Sequence, residues 1–177
     1  MWNIFKSFKF AIKGILFCLI NERNMRIHTV IGSYVILFSR FFNLNRTQYA
    51  VLIIILALVM GSEMINTAVE KLVDLASSSY NNLAKIAKDV AAGAVLVFSI
   101  ASIGVALCLF YDVEAFKRIF DYFSTHIIGL IALIISLIIS IAYISIGPVK
   151  VSTLYEQQSQ KIKMNHKLKG DKDLDDK

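Results

Sequence analysis

Glu63, Asn66, Glu70 and Asp74 follow one another at spacings of 3, 4 and 4 residues, directly after the apolar stretch Tyr49 to Gly61. At about 100° per residue, these spacings place all four side chains in one narrow stripe of an α-helix. Met64, Ile65, Ala68, Val69, Leu72 and Val73 fill the other faces. Three carboxylates and an amide at the mouth of a hydrophobic segment are costly in a bilayer unless a cation or a partner compensates them. Ionisable groups in that position therefore mark a functional site. Two chemistries are open to them: proton transfer by a carboxylate, and coordination of a hard cation, for which magnesium and oxygen ligands are the natural pairing.

The elements that must position this stripe are membrane helices. Of 177 residues 56% are hydrophobic, and they come in blocks too long for a soluble core. Val90 to Tyr111 carries no charge, and Ile127 to Ile146 is almost entirely Ile, Leu, Ala and Ser. Each reaches the roughly 20 residues a membrane helix needs. Thr29 to Phe42 and Tyr49 to Gly61 are shorter and cross only by recruiting flanking polar residues. A helix started at Gln48 covers roughly 30 Å by about Thr67, which leaves Glu63 one turn inside the boundary and Glu70 just outside it. In the N-terminal segment, Phe5, Phe8, Ile12, Ile15 and Leu19 recur at helical spacing beside a separate basic stripe of Lys6, Lys9 and Lys13. That pattern predicts an amphipathic helix lying in the interface rather than a cleavable signal. The expected fold is thus an all-α integral membrane protein: an interfacial helix, three spans and a further fourth span.

Charge sets the expected orientation. Residues 1–28 hold Lys6, Lys9, Lys13, Arg23 and Arg26 against the single acid Glu22, which places the N-terminus in the cytoplasm. Four spans then return the segment Glu70 to Asp89 and the lysine-rich tail after Pro148 to the same side. Asp112 to Thr125, with three acids and two bases, falls on the outer side as a loop. The tail, 155–177 above all, is polar and expected to be disordered. The net charge of +6 is spread over membrane flanks and tail, with no nucleic-acid module, and so reads as topology and attraction to anionic lipid. Cys18 and Cys108 sit in different apolar helices as separate structural thiols.

Several familiar site types are excluded. None of the eight glycines precedes a lysine, so there is no Walker loop, and no pair has the spacing of a kinase glycine-rich loop. His28, His126 and His166 are isolated, which leaves neither a zinc constellation nor a nucleophile triad. A second polar cluster joins the stripe at the same expected depth: Asn21 to His28 between the amphipathic helix and the first span, and Lys85 to Asp89 at the start of the third. Cations beside carboxylates at an interface suit a polyphosphate with its magnesium.

These segments carry a resemblance. Ser7-Phe8-Lys9-Phe10-Ala11 with Gly14, then Asn21-Glu22-Arg23-Asn24 and Arg26-Ile27-His28, then Glu63 to Asp74, then Ala84 to Val95, are similar to the prokaryotic diacylglycerol kinase family. The Arg-Ile-His and Ala-Lys-Ile-Ala-Lys-Asp strings most resemble its Gram-positive undecaprenol kinase branch. The resemblance covers roughly residues 5–111 and implies an interfacial, homotrimeric lipid kinase of the bacterial cell membrane. Such a kinase would transfer the ATP γ-phosphoryl group to a membrane lipid alcohol, undecaprenol in preference to diacylglycerol. By motif position Glu63 would be the catalytic base, Glu22 and Glu70 would hold the magnesium that accompanies ATP, and Lys88 and Asp89 would contact the nucleotide. Asn66 and Asp74 would support that shell. The chain departs from the family pattern at Ser79 and Asn81, and family members usually stop after three spans. The expected organisation is therefore a kinase core at 1–111, an external loop with the fourth span at 112–147, and a tail at 148–177. The alternative is a non-enzymatic membrane protein, such as a cation pathway or an assembly subunit, with the carboxylate stripe lining a route.

Overall fold

The computed structural model describes residues 2–76 and 81–146, with side chains over 4–76 and 81–145. The tail at 148–177 and the Ser77 to Tyr80 part of the α3–α4 connection lie outside the described residues. Among the described residues six helices run in order: α1 Trp2–Asn21, α2 Arg23–Ser39, α3 Arg46–Ala76, α4 Asn82–Leu109, α5 Val113–Thr125 and α6 Ile127–Ile146. No strand occurs among the described residues. The protein is all-α, and α3, α4 and α6 are each long and apolar enough to cross a membrane.

Local chemistry explains where the helices begin. Asn45 and Gln48 form a reciprocal capping box: Asn45 Oδ1 accepts from the Gln48 amide at 2.9 Å, and Gln48 Oε1 accepts from the Asn45 amide at 2.8 Å. This starts α3 at Arg46, two residues before the expected Gln48. The turn ahead of it needs a left-handed residue, supplied by Asn43 at φ 49°. Asn81 caps α4 by accepting from the Leu83 amide at 2.8 Å, and Asp112 caps α5 by accepting from Glu114 at 2.9 Å.

α2 has 17 residues and rises only about 25 Å, short of a ~30 Å hydrocarbon core. As expected, the helix extends past its apolar stretch into the polar residues Arg23 to His28, but α2 is not among the described helices long and apolar enough to cross a membrane by themselves. It stops at Ser39 rather than Phe42, because Phe41 and Phe42 leave the helix to pack with α5. Phe42 meets the rings of Phe110 and Phe116 edge-on at 4.9 and 5.5 Å. The segment expected to be a loop, Asp112 to Thr125, is largely helix α5. Phe116, Ile119, Phe120 and Phe123 give it an i, i+3, i+4, i+7 apolar face beneath its interleaved charges.

The α2–α3, α3–α4 and α2–α6 pairs are antiparallel. α3 and α4 form the most extensive pair, α2 lies against α3, and α6 lies against both α2 and α5. Met25, Leu52, Ile55 and Val59 fill the small α2–α3 core. A Cβ on Gly32 would stand 3.3 Å from Leu56 Cδ2, so glycine permits α2 and α3 to approach closely there. Elsewhere Ile and Leu side chains of α3, α4 and α6 face outward, as lipid-exposed or chain-contacting surfaces require. Cys18 and Cys108 are both free thiols; burial pushes the Cys18 thiol up and keeps it inert.

α5 is also tied to the core by Arg118, which donates to the Phe41 carbonyl at 2.9 Å and to Asp112 Oδ2 at 2.8 Å. Desolvation alone would raise the Asp112 carboxyl. The Arg118 hydrogen bond and the Ala115 and Glu114 amides outweigh it and hold the group below its ordinary value of 3.8. A depressed carboxylate contributes stability that is present above the unfolded-state pKa and lost as pH falls through the folded one. Exchange in α5 is therefore expected to quicken modestly as pH falls through the carboxylate range in the wild type, and Asp112→Asn to flatten that acid limb. Hydrogen exchange of 112–125 against pH checks it.

Candidate active site

Helix α3 brings Glu63 to the centre of the α1–α2–α3 junction, where it is 2% exposed. His28, near the start of α2, places Nε2 3.4 Å from Glu63 Oε1, within ion-pair range. The approach is too poorly aligned for a hydrogen bond, so Oε1 is buried without a hydrogen-bond partner. Asn24 and Glu22 are its other polar neighbours, and Thr67 Oγ1 donates to the Glu63 carbonyl at 3.0 Å. Cys18, from the last turns of α1, closes this group beside Thr67 and Glu22. Glu22 is the single non-helical residue between α1 and α2, with φ −100° and ψ 119°. The helix break thus delivers a carboxylate to the side of Glu63.

The rest of the stripe turns towards α4. Asn66 Nδ2 donates to Glu70 Oε1 at 2.9 Å, and Asn66 Oδ1 is buried without a partner. One turn on, Asp74 Oδ1 accepts from Lys88 Nζ at 2.5 Å, and Lys88 also feels the charge of Glu70. The stripe is therefore two sites on one helix. One is a buried carboxylate facing the α1–α2 junction; the other is a more accessible Asn66, Glu70, Asp74 and Lys88 group across the α3–α4 hairpin. Asp89 stands apart, exposed and without a hydrogen bond or ion pair to the described residues. Asn81 is accounted for as the α4 cap, whereas Ser79 lies outside the described residues. Because exposed ion pairs contribute little, Asp74→Asn is expected to leave the thermal midpoint in detergent unchanged. A fall of several degrees would instead make the Lys88 contact a structural strut.

His28, Asn24 and Thr67 complete the Glu63 pocket, although spacing within α3 did not single them out as site residues. The signal for all three was present: Asn24 and His28, within the Asn21 to His28 cluster, are four apart, hence on one face of α2. Thr67 is four residues beyond Glu63 in the same way. Their convergence depends on how α2 packs on α3, which no spacing within one helix encodes.

Among the described residues no three His, Cys, Asp or Glu side chains form a closed cage for a metal ion. Glu70 is a hard oxygen donor with the unfilled Asn66 Oδ1 beside it, a pair that fits magnesium arriving on a polyphosphate, which keeps waters and takes one or two carboxylates from the protein. Glu22 is a second hard donor, placed beside Glu63 rather than in contact with Glu70.

A family model described as prokaryotic diacylglycerol kinase matches residues 9–110. Over 108 residues the chain is 45% identical to a diacylglycerol kinase of Synechocystis sp., a stretch amounting to 60% of this chain and 62% of that protein. Over 108 residues it is 35% identical to an undecaprenol kinase of Bacillus subtilis, covering 61% of this chain and 88% of that protein. The chain thus spans less than two thirds of the Synechocystis protein's length. Helices α5 and α6 lie beyond the family match, while Glu22, Glu63, Asn66, Glu70, Asp74 and Lys88 all lie within it. With more than half of its length and its whole polar site inside that match, the chain belongs to the prokaryotic diacylglycerol kinase family.

Proposed function

We propose that this protein is an integral membrane, ATP-dependent lipid kinase whose acceptor is the primary hydroxyl of a membrane lipid alcohol. The observation that carries the reading is the buried Glu63 carboxylate, with a free oxygen and no full counter-ion, one helical stretch away from a water-accessible carboxylate and lysine group. A group so placed is costly to bury and is retained where a proton must be taken from a buried hydroxyl.

In the proposed reaction the lipid oxygen forms a bond to the γ-phosphorus and the bond to the β–γ bridging oxygen breaks. Its electron pair leaves with ADP, and the hydroxyl proton passes to Glu63 Oε1. His28 orients the Glu63 carboxylate, and Lys88 offers positive charge to the phosphates. Asp89, at the start of α4, is a further nucleotide contact by family position. Glu22 and Glu70 would hold a magnesium ion brought with ATP, which when bound neutralises charge on the transferring phosphoryl group. Asn66 and Asp74 hold Glu70 and Lys88 in place.

Undecaprenol is favoured over diacylglycerol as acceptor on the Arg26-Ile27-His28 and Ala84 to Asp89 strings, while the names of the two relatives divide between these lipids. The assignment includes a homotrimer with the N-terminus, the site and the tail on the cytoplasmic side. The basic N-terminal segment supports that orientation, and the uncovered apolar faces of α3 and α4 support chain–chain contact. A cation pathway finds less support: the polar groups gather at one end of α3, while Val90 to Leu109 and α6 carry no charge.

Purified protein in mixed micelles is expected to phosphorylate undecaprenol faster than diacylglycerol, and only with magnesium present. Transfer to neither lipid would overturn the kinase assignment; preference for diacylglycerol would overturn the acceptor.

A further inference from the structure

The last turn of α1 ends without the glycine that usually satisfies a helix C-terminus, and two side chains from elsewhere take its orphan carbonyls. Tyr143, on α6, donates its hydroxyl to the Leu19 carbonyl at 3.2 Å. Arg26, on α2, donates Nη1 to the Ile20 carbonyl at 2.8 Å and brings Nη2 to 3.5 Å from the Ile144 carbonyl, in the last turn of α6. Arg26 is only 7% exposed and has no carboxylate partner in any described ion pair. Its charge instead faces the carbonyl ends of two helices, each a partial negative charge that favours a buried cation. Along its length α6 is further fixed to α2 by Tyr34, whose hydroxyl lies 2.9 Å from Ser136 Oγ and 3.2 Å from Ser140 Oγ.

This junction is the one at which Glu22 sits. Glu22 alone separates α1 from α2, so the angle between those helices sets where its carboxylate stands relative to Glu63. α6 lies outside the part of the chain matched by the family, yet its C-terminal end grips the last turn of α1.

We infer that α6 is a clamp on the α1–α2 joint, with Tyr143 and Arg26 as positioning residues that hold Glu22 in register with the catalytic helix. For its effect on turnover this rests on the kinase reading. The clamp itself does not.

The test is Tyr143→Phe in the full chain in nanodiscs, which removes one hydroxyl and keeps the ring. Ser136→Ala serves as a control that loosens α6 from Tyr34 without touching the joint. Hydrogen exchange at residues 18–26 is expected to quicken several-fold in Tyr143→Phe and to stay at the wild-type rate in Ser136→Ala. Unchanged exchange at 18–26 in Tyr143→Phe, or equal quickening in both variants, overturns the clamp whether or not the protein phosphorylates lipid.

In the kinase assay Tyr143→Phe is expected to raise the KM for MgATP several-fold with the lipid KM unchanged. It should have no added effect in a Glu22→Gln background. A KM effect that multiplies with that of Glu22→Gln overturns the action through Glu22. If the wild-type protein transfers phosphate to no lipid, the kinase reading fails and the exchange data alone decide the clamp.

Discussion

Glu63→Gln is expected to lower kcat by about 10²–10⁴-fold, the range contributed by a positioned general base, while the KM for MgATP stays near the wild-type value. The substitution keeps the volume and the Thr67 contact to the main chain and removes the charge and the proton affinity. Because Glu63 is buried against α2 and the nucleotide group lies towards α4, the loss should fall on turnover. Single-turnover rates with saturating lipid and MgATP measure it directly. A variant with wild-type turnover would remove Glu63 from the chemistry altogether.

Glu70→Gln is expected to do the reverse. A charged contact contributes about 1.5–3 kcal/mol, so its loss should raise the apparent KM for MgATP by roughly 10–150-fold. Added magnesium should recover part of that loss, and kcat at saturation should fall less than in Glu63→Gln. Titrating MgATP at two free magnesium concentrations separates the cases. Equal KM increases in both variants would dissolve the division of the stripe into a lipid-facing and a nucleotide-facing half.

That division was partly legible in the sequence. The i, i+3, i+7 and i+11 spacing of Glu63, Asn66, Glu70 and Asp74 fixes a shared helix face, and the helix is there. α6 was legible in full, since an uninterrupted apolar run from Ile127 to Ile146 has one solution in a bilayer. The start of α3 was displaced by the Asn45–Gln48 capping box, a two-residue polar signal that apolar counting overlooks. α5 was hidden because its charges fall between its phenylalanines, so that composition said loop while period said helix. The partners across helices were legible only as clusters: Asn21 to His28 and Lys85 to Asp89 were expected at the depth of the stripe, without the pairing of one side chain with another. Asp74 and Lys88 meet across the α3–α4 hairpin, and His28 and Glu63 meet where α2 packs on α3, one turn from the close Gly32–Leu56 approach. Both contacts are facts of packing between helices, to which periodicity within one helix is blind.

The 31 residues of α3 run unbroken through the site. Glu63 and Glu70 are therefore about 10 Å apart along a rigid rod, with no hinge between them to shorten the gap. Such a rod works as a depth gauge. In the proposed reaction an acceptor would react only if its hydroxyl floats at the height of the first mark while the phosphates rest at the second. Discrimination among lipids then becomes a matter of how far each alcohol emerges from the hydrocarbon, and a bilayer of altered thickness would change the ranking without touching a single side chain.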